Sequence, residues 1–402
     1  MSNKHAAFLY RIFFWFCTAI VFYTYLGYGL ILYVLVHIKT IFYPAPVLNW
    51  EGDLPSITVL IAAYNEEKVV EEKMANCRAL NYPQRKLQVV WITDGSNDHT
   101  NEKLARYPKV KVLYRPQRQG KTAALNRAVP LIDTPYIVFT DANTILNTEA
   151  ILEIVQCFGS EKTGGVAGEK RISVKDKDNA TAGGEGFYWK YESRLKAWDS
   201  QLYSTVGAAG ELFAIRRELF EPMPPDTLLD DFILSMRIAE KGYKIAYCDR
   251  AYALEDSSAD IKNEEKRKIR IAAGGLQSIG RLRHLLIPNP FHLGLLRFQY
   301  ISHRVLRWSV TPVVLFLLIP LNLLLAFWPG FSTSYFILFL LQGLFYSMAF
   351  IGHIMQRKNI EIKGLFIPYY FVFMNLNVLK AFFYLKSHKG QGTWEKAERR
   401  IG

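Results

Sequence analysis

The sequence predicts an α/β domain, a mostly parallel sheet with helices on both faces, held between membrane-spanning helices. Three observations predict it. An uncharged apolar run lies between Arg11 and His37 and is long enough to cross a bilayer. From about residue 55 to 258, short β-rich runs alternate with helical stretches, the pattern of a parallel sheet wrapped by helices. Three further apolar segments then follow. The chain divides into a membrane helix (1–42), the α/β domain (43–258), amphipathic interfacial helices (259–308), about three membrane helices (309–386) and a basic tail (387–402).

The first run, from Ile12-Phe13-Phe14 to Tyr33-Val34-Leu35-Val36, exceeds a signal-peptide core and no Ala-x-Ala site follows, so it reads as an uncleaved anchor. Tyr43-Pro44-Ala45-Pro46 breaks it. Strands are expected at Ile57–Ala62, Leu87–Thr93, Val110–Tyr114 and Tyr136–Thr140, with helices at Glu66–Leu80, Asn97–Tyr107 and Gly120–Val129. Ligands of such sheets bind beyond the carboxyl ends of the strands.

Asp260–His284 reads as a basic amphipathic helix. Ile269, Ala272, Leu276 and Ile279 form its apolar stripe, and Arg267, Arg270, Gly274 and Gln277 a more polar one. Such a helix either lies on the membrane surface or roofs a site. Pro288-Asn289-Pro290 interrupts it, and a second interfacial helix runs up to Trp308. The later apolar segments are Ser309–Phe327, Ser334–Ile354 and Gly364–Leu385. If all span, the loop near Gly330 is outside, the loop near Arg357 inside and the cationic tail outside. That tail then opposes the positive-inside tendency. Either the last segment, with Pro368, Asn375 and Asn377, stops short, or the tail is an exception.

The formal charge is +13 and half the residues are hydrophobic. No nucleic-acid-binding motif accompanies the charge, which argues against nucleic acid as the partner. Cations instead precede apolar segments, as in Arg281-Leu282-Arg283-His284 and Arg304-Val305-Leu306-Arg307-Trp308, which suits the cytoplasmic face of a lipid bilayer. Cys17, Cys77, Cys157 and Cys248 show no Cys-x-x-Cys spacing, against a zinc site or a disulfide framework.

The polar motifs fall at strand ends. In Ala62-Ala63-Tyr64-Asn65-Glu66, Asn65 is a natural helix cap. In Thr93-Asp94-Gly95-Ser96-Asn97-Asp98, Asp94 is placed to accept from a base N–H or a ribose hydroxyl, and the run equally makes an ordinary turn. Gly120-Lys121-Thr122 is no P-loop, because the first glycine of that motif would fall at Arg115. Asp141-Ala142-Asn143 offers two oxygen ligands for Mg2+ or Mn2+, or a turn. Asp230-Asp231 opens a helix, where adjacent carboxylates complement the dipole or supply a general base.

Order and spacing together resemble the family 2 glycosyltransferases, the group containing cellulose, chitin and hyaluronan synthases. The resemblance covers roughly Ser56 to Asn289 and the flanking membrane helices. It implies a GT-A (Rossmann-like) nucleotide-binding domain. By that resemblance Ala63, Tyr64, Glu66 and Asp94 hold the uridine of a nucleotide-sugar donor, and Lys121 lies near it or the diphosphate. Asp141 and Asn143 match the metal-binding Asp-x-Asp, and Asp230-Asp231 match the Glu-Asp pair whose second member is the catalytic base. Gly210-Glu211 match the acceptor-side segment. Two departures stand out. Asn143 brings an amide oxygen without charge. At the place of the (Gln/Arg)-x-x-Arg-Trp motif, Arg267-Lys268-Ile269-Arg270-Ile271 has both cations but no tryptophan. The literal match at Arg304–Trp308 reads as an interfacial anchor.

The resemblance implies inversion at C1, with Asp231 as base and the metal, with Arg267 or Arg270, steadying the leaving diphosphate. Three readings follow: a cell-membrane, multi-pass polysaccharide synthase with a cytosolic catalytic domain; a transferase adding one sugar to a lipid-linked or glycan acceptor; or a transporter or receptor with a nucleotide-binding domain. About four membrane segments make a modest channel, so export of a polymer calls for a partner or an oligomer.

Overall fold

A computed structural model describes residues 2–43, 50–172, 180–255, 261–287, 294–328, 330–358, 360 and 362–387. The described residues form an eight-stranded sheet in the order β3-β2-β1-β4-β7-β6-β8-β5. Its strands are β1 Ile57–Ala63, β2 Leu87–Asp94, β3 Lys111–Arg115, β4 Tyr136–Asp141, β5 Ile145–Leu146, β6 Thr163–Ile172, β7 Phe213–Arg216 and β8 Lys244–Glu255. The helices used below are α1 His5–Phe42, α2 Val70–Arg78, α3 Lys121–Ala128, α4 Ala180–Leu202, α5 Asp230–Glu240, α6 Ile261–Arg281, α7 Val310–Phe327, α8 Thr333–Arg357 and α9 Lys363–Ser387.

The four expected strands are all present and mutually parallel. The second half of the sheet departs from the expectation: β7 runs antiparallel to β4 and β6, and β5 antiparallel to β8. The alternation along β1 shows why the sheet is covered twice. Ile57, Val59 and Ile61 face one core with Trp91 and Val138, while Leu60 faces the other with Val90, Ile92, Ile137 and Phe139. Successive side chains of a strand point to opposite faces, so each apolar run feeds two cores.

The segment expected at the membrane interface belongs to the domain instead. Leu282, Leu285, Leu296, Tyr300 and Val305 are buried in the same core as Phe139 and Phe213. Helix α6 does roof the domain. Gln277 accepts from the Leu228 N–H at 3.0 Å and donates to the Asp226 carbonyl at 2.9 Å, and Arg281 pairs with Asp226 at 2.7 Å. Its apolar stripe meets the last membrane helix, where Ala272 and Ala273 pack on Ala381 beside Ile269 and Leu276.

Among the described residues, four helices are long and apolar enough to cross a membrane: α1, α7, α8 and most of α9. Helix α9 runs for 25 residues through Pro368, enough for a full span; Asn375 and Asn377 are buried. Phe8, Leu9, Phe13, Trp15, Leu340 and Leu341 stay exposed on their helices. Residues 44–49, 288–293 and 388–402 lie outside the described residues, and with them the proline breaks expected there and the basic tail.

A buried ionic network ties span to domain. Asp199 of α4 accepts from Tyr28 of α1 and contacts His303 at 2.6 Å. Glu192, two turns earlier on the same helical face, binds Arg304 at 2.6 Å and Arg307 at 2.8 Å. Trp308 is therefore no interfacial anchor: its ring meets Phe232 edge-on at 5.0 Å. A Cβ added at Gly275 would fall 2.5 Å from that indole. Gly275→Ala is expected to cost about 1–3 kcal/mol by overpacking. Gly280→Ala, with nothing within 4 Å, should be neutral or stabilising; thermal melts of the two variants check the pair.

Candidate functional site

Three strand ends set the site. The register pairs Ala63 at the end of β1 with Thr93 of β2, and Ala62 with Asp141 of β4, so Asp94 and Asp141 emerge on either side of β1. Asp94 is buried, and its Oδ2 accepts from the backbone N–H groups of Gln119 at 2.8 Å and Gly120 at 2.7 Å. Gly120, at φ +95°, lets the chain turn there into α3. Arg127 stands 3.9 Å from Asp94 Oδ1, and among the described residues no hydrogen bond reaches that oxygen. Tyr64 lies beneath the Arg118 guanidinium, 3.7 Å from ring centroid to cation.

Asn65 does not cap a helix. It sits at φ +55°, a region that asparagine tolerates, and exchanges hydrogen bonds with Asn97 at 2.7 and 2.9 Å. The N–H of Glu66 donates to Thr100 at 2.8 Å. The loops after β1 and β2 are thus stapled together, and α2 starts only at Val70.

Lys121, the first residue of α3, gathers the charges. Its Nζ donates to Asp141 Oδ1 at 2.9 Å and stands 3.9 Å from Asp230 Oδ2. Gly210 borders the same spot: a Cβ built on it would lie 3.2 Å from Lys121 Nζ and 3.5 Å from Asp231 Oδ2. Asp230 and Asp231 occupy the first turn of α5, where Asp231 Oδ1 accepts from the Phe232 N–H at 2.9 Å. Burial, then the Asp230 charge, push Asp231 up to about 7 against the pull of Lys121. Burial opposes the Lys121 ammonium too, but Asp141, Asp230 and Asp231 outweigh it and hold its pKa above the usual range.

Asp141 leads into a turn in which Thr144 Oγ1 donates to the Asp141 carbonyl at 2.9 Å, and Asn143 lies half-buried in that turn. One carboxylate and one amide oxygen are hard donors, too few for a cage; they fit a divalent cation whose shell is completed by diphosphate oxygens. That Lys121 already sits 2.9 Å from Asp141 shows the spot accommodates positive charge.

On the other side, Glu211 receives Lys170 at 2.6 Å and Arg267 at 3.4 Å. Glu255 shares both cations, Arg267 at 3.2 Å. Burial works against the Glu211 charge, yet Lys170, with Arg267, holds it at about 2. Arg267 is thereby engaged by carboxylates, Glu264 at 3.7 Å being a third, while Lys121 stands beside Asp141 and borders the Asp231 spot. Arg270 lies half-buried one turn along α6. The structure thus brings Lys121, Asp141, Asp230, Asp231 and Gly210 together, with Glu211 and Arg267 beside them, while Tyr64, Glu66 and Asp94 form a neighbouring loop cluster. Sequence reasoning missed Lys170 and Glu255, on strands it did not draw.

Residues 58–223 match the family model described as glycosyl transferase family 2. The chain is 32% identical over 201 residues to a beta-monoglucosyldiacylglycerol synthase of Trichormus variabilis, covering 47% of this chain and 42% of that protein; the match thus spans less than half the length of that relative. It is 24% identical over 366 residues to a poly-beta-1,6-N-acetyl-D-glucosamine synthase of Staphylococcus epidermidis, covering 85% and 87%. A mannosyltransferase from Pyrobaculum calidifontis, solved in complex with GDP-Man and Mn2+, superposes with a TM-score of 0.72 at 21% identity, covering 94% of this chain and 99% of that one. The shared fold is GT-A.

The raised Asp231 carboxyl has a consequence for stability. Between its ordinary pKa of 3.8 and about 7, the folded chain holds a proton that the unfolded chain releases, so stability falls as pH rises through that window. Asp231→Asn removes this dependence. The variant is expected to melt above the wild type near pH 8 and level with it near pH 4, as read by thermal denaturation across that range.

Proposed function

We propose that the chain is a membrane-anchored, inverting glycosyltransferase that moves a sugar from a UDP-sugar to a glycan acceptor, with its catalytic domain in the cytosol, in cell-envelope polysaccharide synthesis. The observation that carries this is the convergence of Asp141 and Asp230 on Lys121, with Asp231 bordering the same gap that Gly210 leaves open; burial and the Asp230 charge raise the Asp231 carboxyl to about 7. A base needs a pKa near the working pH to take a proton and give it up.

In this reading Asp231 removes the proton of an acceptor hydroxyl as its oxygen attacks C1 of the donor sugar. The C1–O bond to the diphosphate breaks, and the nucleoside diphosphate leaves from the opposite face. Asp230 keeps Asp231 basic. Lys121 lets go of Asp141 to meet the leaving diphosphate. Mg2+ or Mn2+, held by Asp141 and Asn143, would supply Lewis-acid stabilisation of that leaving group. Tyr64, Glu66 and Asp94, with the end of β1 at Ala63, form the nucleoside pocket; Oδ1 of Asp94, which accepts no hydrogen bond among the described residues, suits a base N–H.

A second reading, addition of one sugar to a lipid acceptor, draws support from α6, which reaches from Arg267 beside Glu211 to the packing of Ala272 and Ala273 on the last span. An acceptor entering from the bilayer would pass this helix. Membranes supplied with a panel of radiolabelled nucleotide sugars separate the readings, long polymer supporting the first and a single-sugar lipid product the second. Asp231→Asn is expected to lose about 10^2–10^4-fold in turnover while donor affinity stays within a few-fold. Wild-type kcat/KM should rise with pH to a plateau above about 7. Near-normal turnover in the variant would remove Asp231 from the chemistry.

A further inference from the structure

Lys73 of α2 is fully buried, at 0% exposure, beneath the site. Burying an ammonium is costly unless its donors are satisfied. It has three N–H donors, and the structure gives its Nζ three oxygens: Thr140 Oγ1 at 3.0 Å, the Thr144 carbonyl at 2.7 Å and Thr144 Oγ1 at 3.4 Å. Among the described residues no salt bridge falls to it, so it is no half of a buried ion pair. All three oxygens belong to the segment that carries Asp141 and Asn143.

The grip continues along the same helix. Asn76, three residues on, pairs with the backbone of Leu146 in both directions, at 2.7 and 2.9 Å. Thr140 in turn donates to the Glu211 carbonyl at 3.0 Å, and β5 is bonded to Ala253 and Leu254, the residues just before Glu255 in β8. The turn between β4 and β5 is thus clamped from α2 below and joined to the Glu211–Glu255 cluster beside it. A methionine of similar volume would fill the space without a buried charge, so the ammonium answers a need other than packing.

We propose that Lys73 is a positioning residue for the metal and diphosphate: by binding Thr140 and Thr144 it fixes the turn so that the Asp141 carboxylate and the Asn143 amide oxygen present to the same ion. This rests on the glycosyltransferase reading of the site. Because Asn143 brings no charge, Asp141 is the charged ligand of the Asp-x-Asn pair, and its orientation decides how well the ion is held. The loop that α2 continues, Tyr64 to Val69, borders the proposed nucleoside pocket, so one helix sets both ends of the donor site.

The test is titration of the detergent-solubilised full chain with Mn2+ in the presence of UDP, followed by calorimetry, together with hydrogen exchange across residues 140–148. Lys73→Met is expected to weaken Mn2+-dependent UDP binding about 10-fold, within the range for residues that orient metal ligands, and to speed exchange in the turn. UDP affinity without metal and kcat at saturating metal should stay within about 2-fold. Thr140→Val, close in volume and with no new charge, removes one Lys73 acceptor together with the bond to the Glu211 carbonyl, and should weaken binding in the same direction should Lys73→Met fail to fold. Unchanged Mn2+ affinity in either folded variant overturns the role of Lys73. A wild-type chain without Mn2+-dependent UDP binding overturns the reading of the site itself, and this role with it.

Discussion

The Lys121 ammonium is what allows three carboxylates to share one recess. Asp141 lies 2.9 Å and Asp230 3.9 Å from it, and Asp231 borders the same gap. Like charges at such distances cannot all ionise without a cation between them. The strand order puts Asp141 at one wall, helix α5 puts Asp230 and Asp231 at another, and α3 projects Lys121 into the middle. Part of the repulsion is relieved by a proton, which burial and the Asp230 charge keep on Asp231 up to about 7.

Much of this was legible in the chain. The four parallel strands were readable because each is a short apolar run closed by a polar motif, and the motifs at Asp94, Asp141 and Asp231 stood where strand or helix ends had to be. Other features were not legible. β6 contains Gly164, Gly165 and Gly168 and looks like loop; it is a strand because glycine lets Leu212, Leu219 and Ile238 press against it. Asn65 has the look of a cap, but its loop is set by Asn97, a residue of another loop. No local pattern announces that pairing.

Trp308 shows the same limit from the other side. An arginine–tryptophan pair ahead of an apolar helix fits a membrane interface by composition alone. Burial of Arg307 on Glu192 and the contact of Trp308 with Phe232 come from α4 and α5, more than 70 residues away in sequence. What decides between anchor and core here is a long-range ion pair, and breaking it would leave an uncompensated buried charge.

That arrangement leaves one residue, Ser309, between the indole and the first turn of α7. A helix that leans to match a thicker or thinner bilayer turns about its ends, and the N-terminal end of α7 adjoins Trp308, whose ring meets Phe232, the neighbour of Asp231. The carboxyl proposed as the base thus lies next in sequence to the ring that this indole meets, and the indole stands one residue short of a helix apolar enough to cross a bilayer.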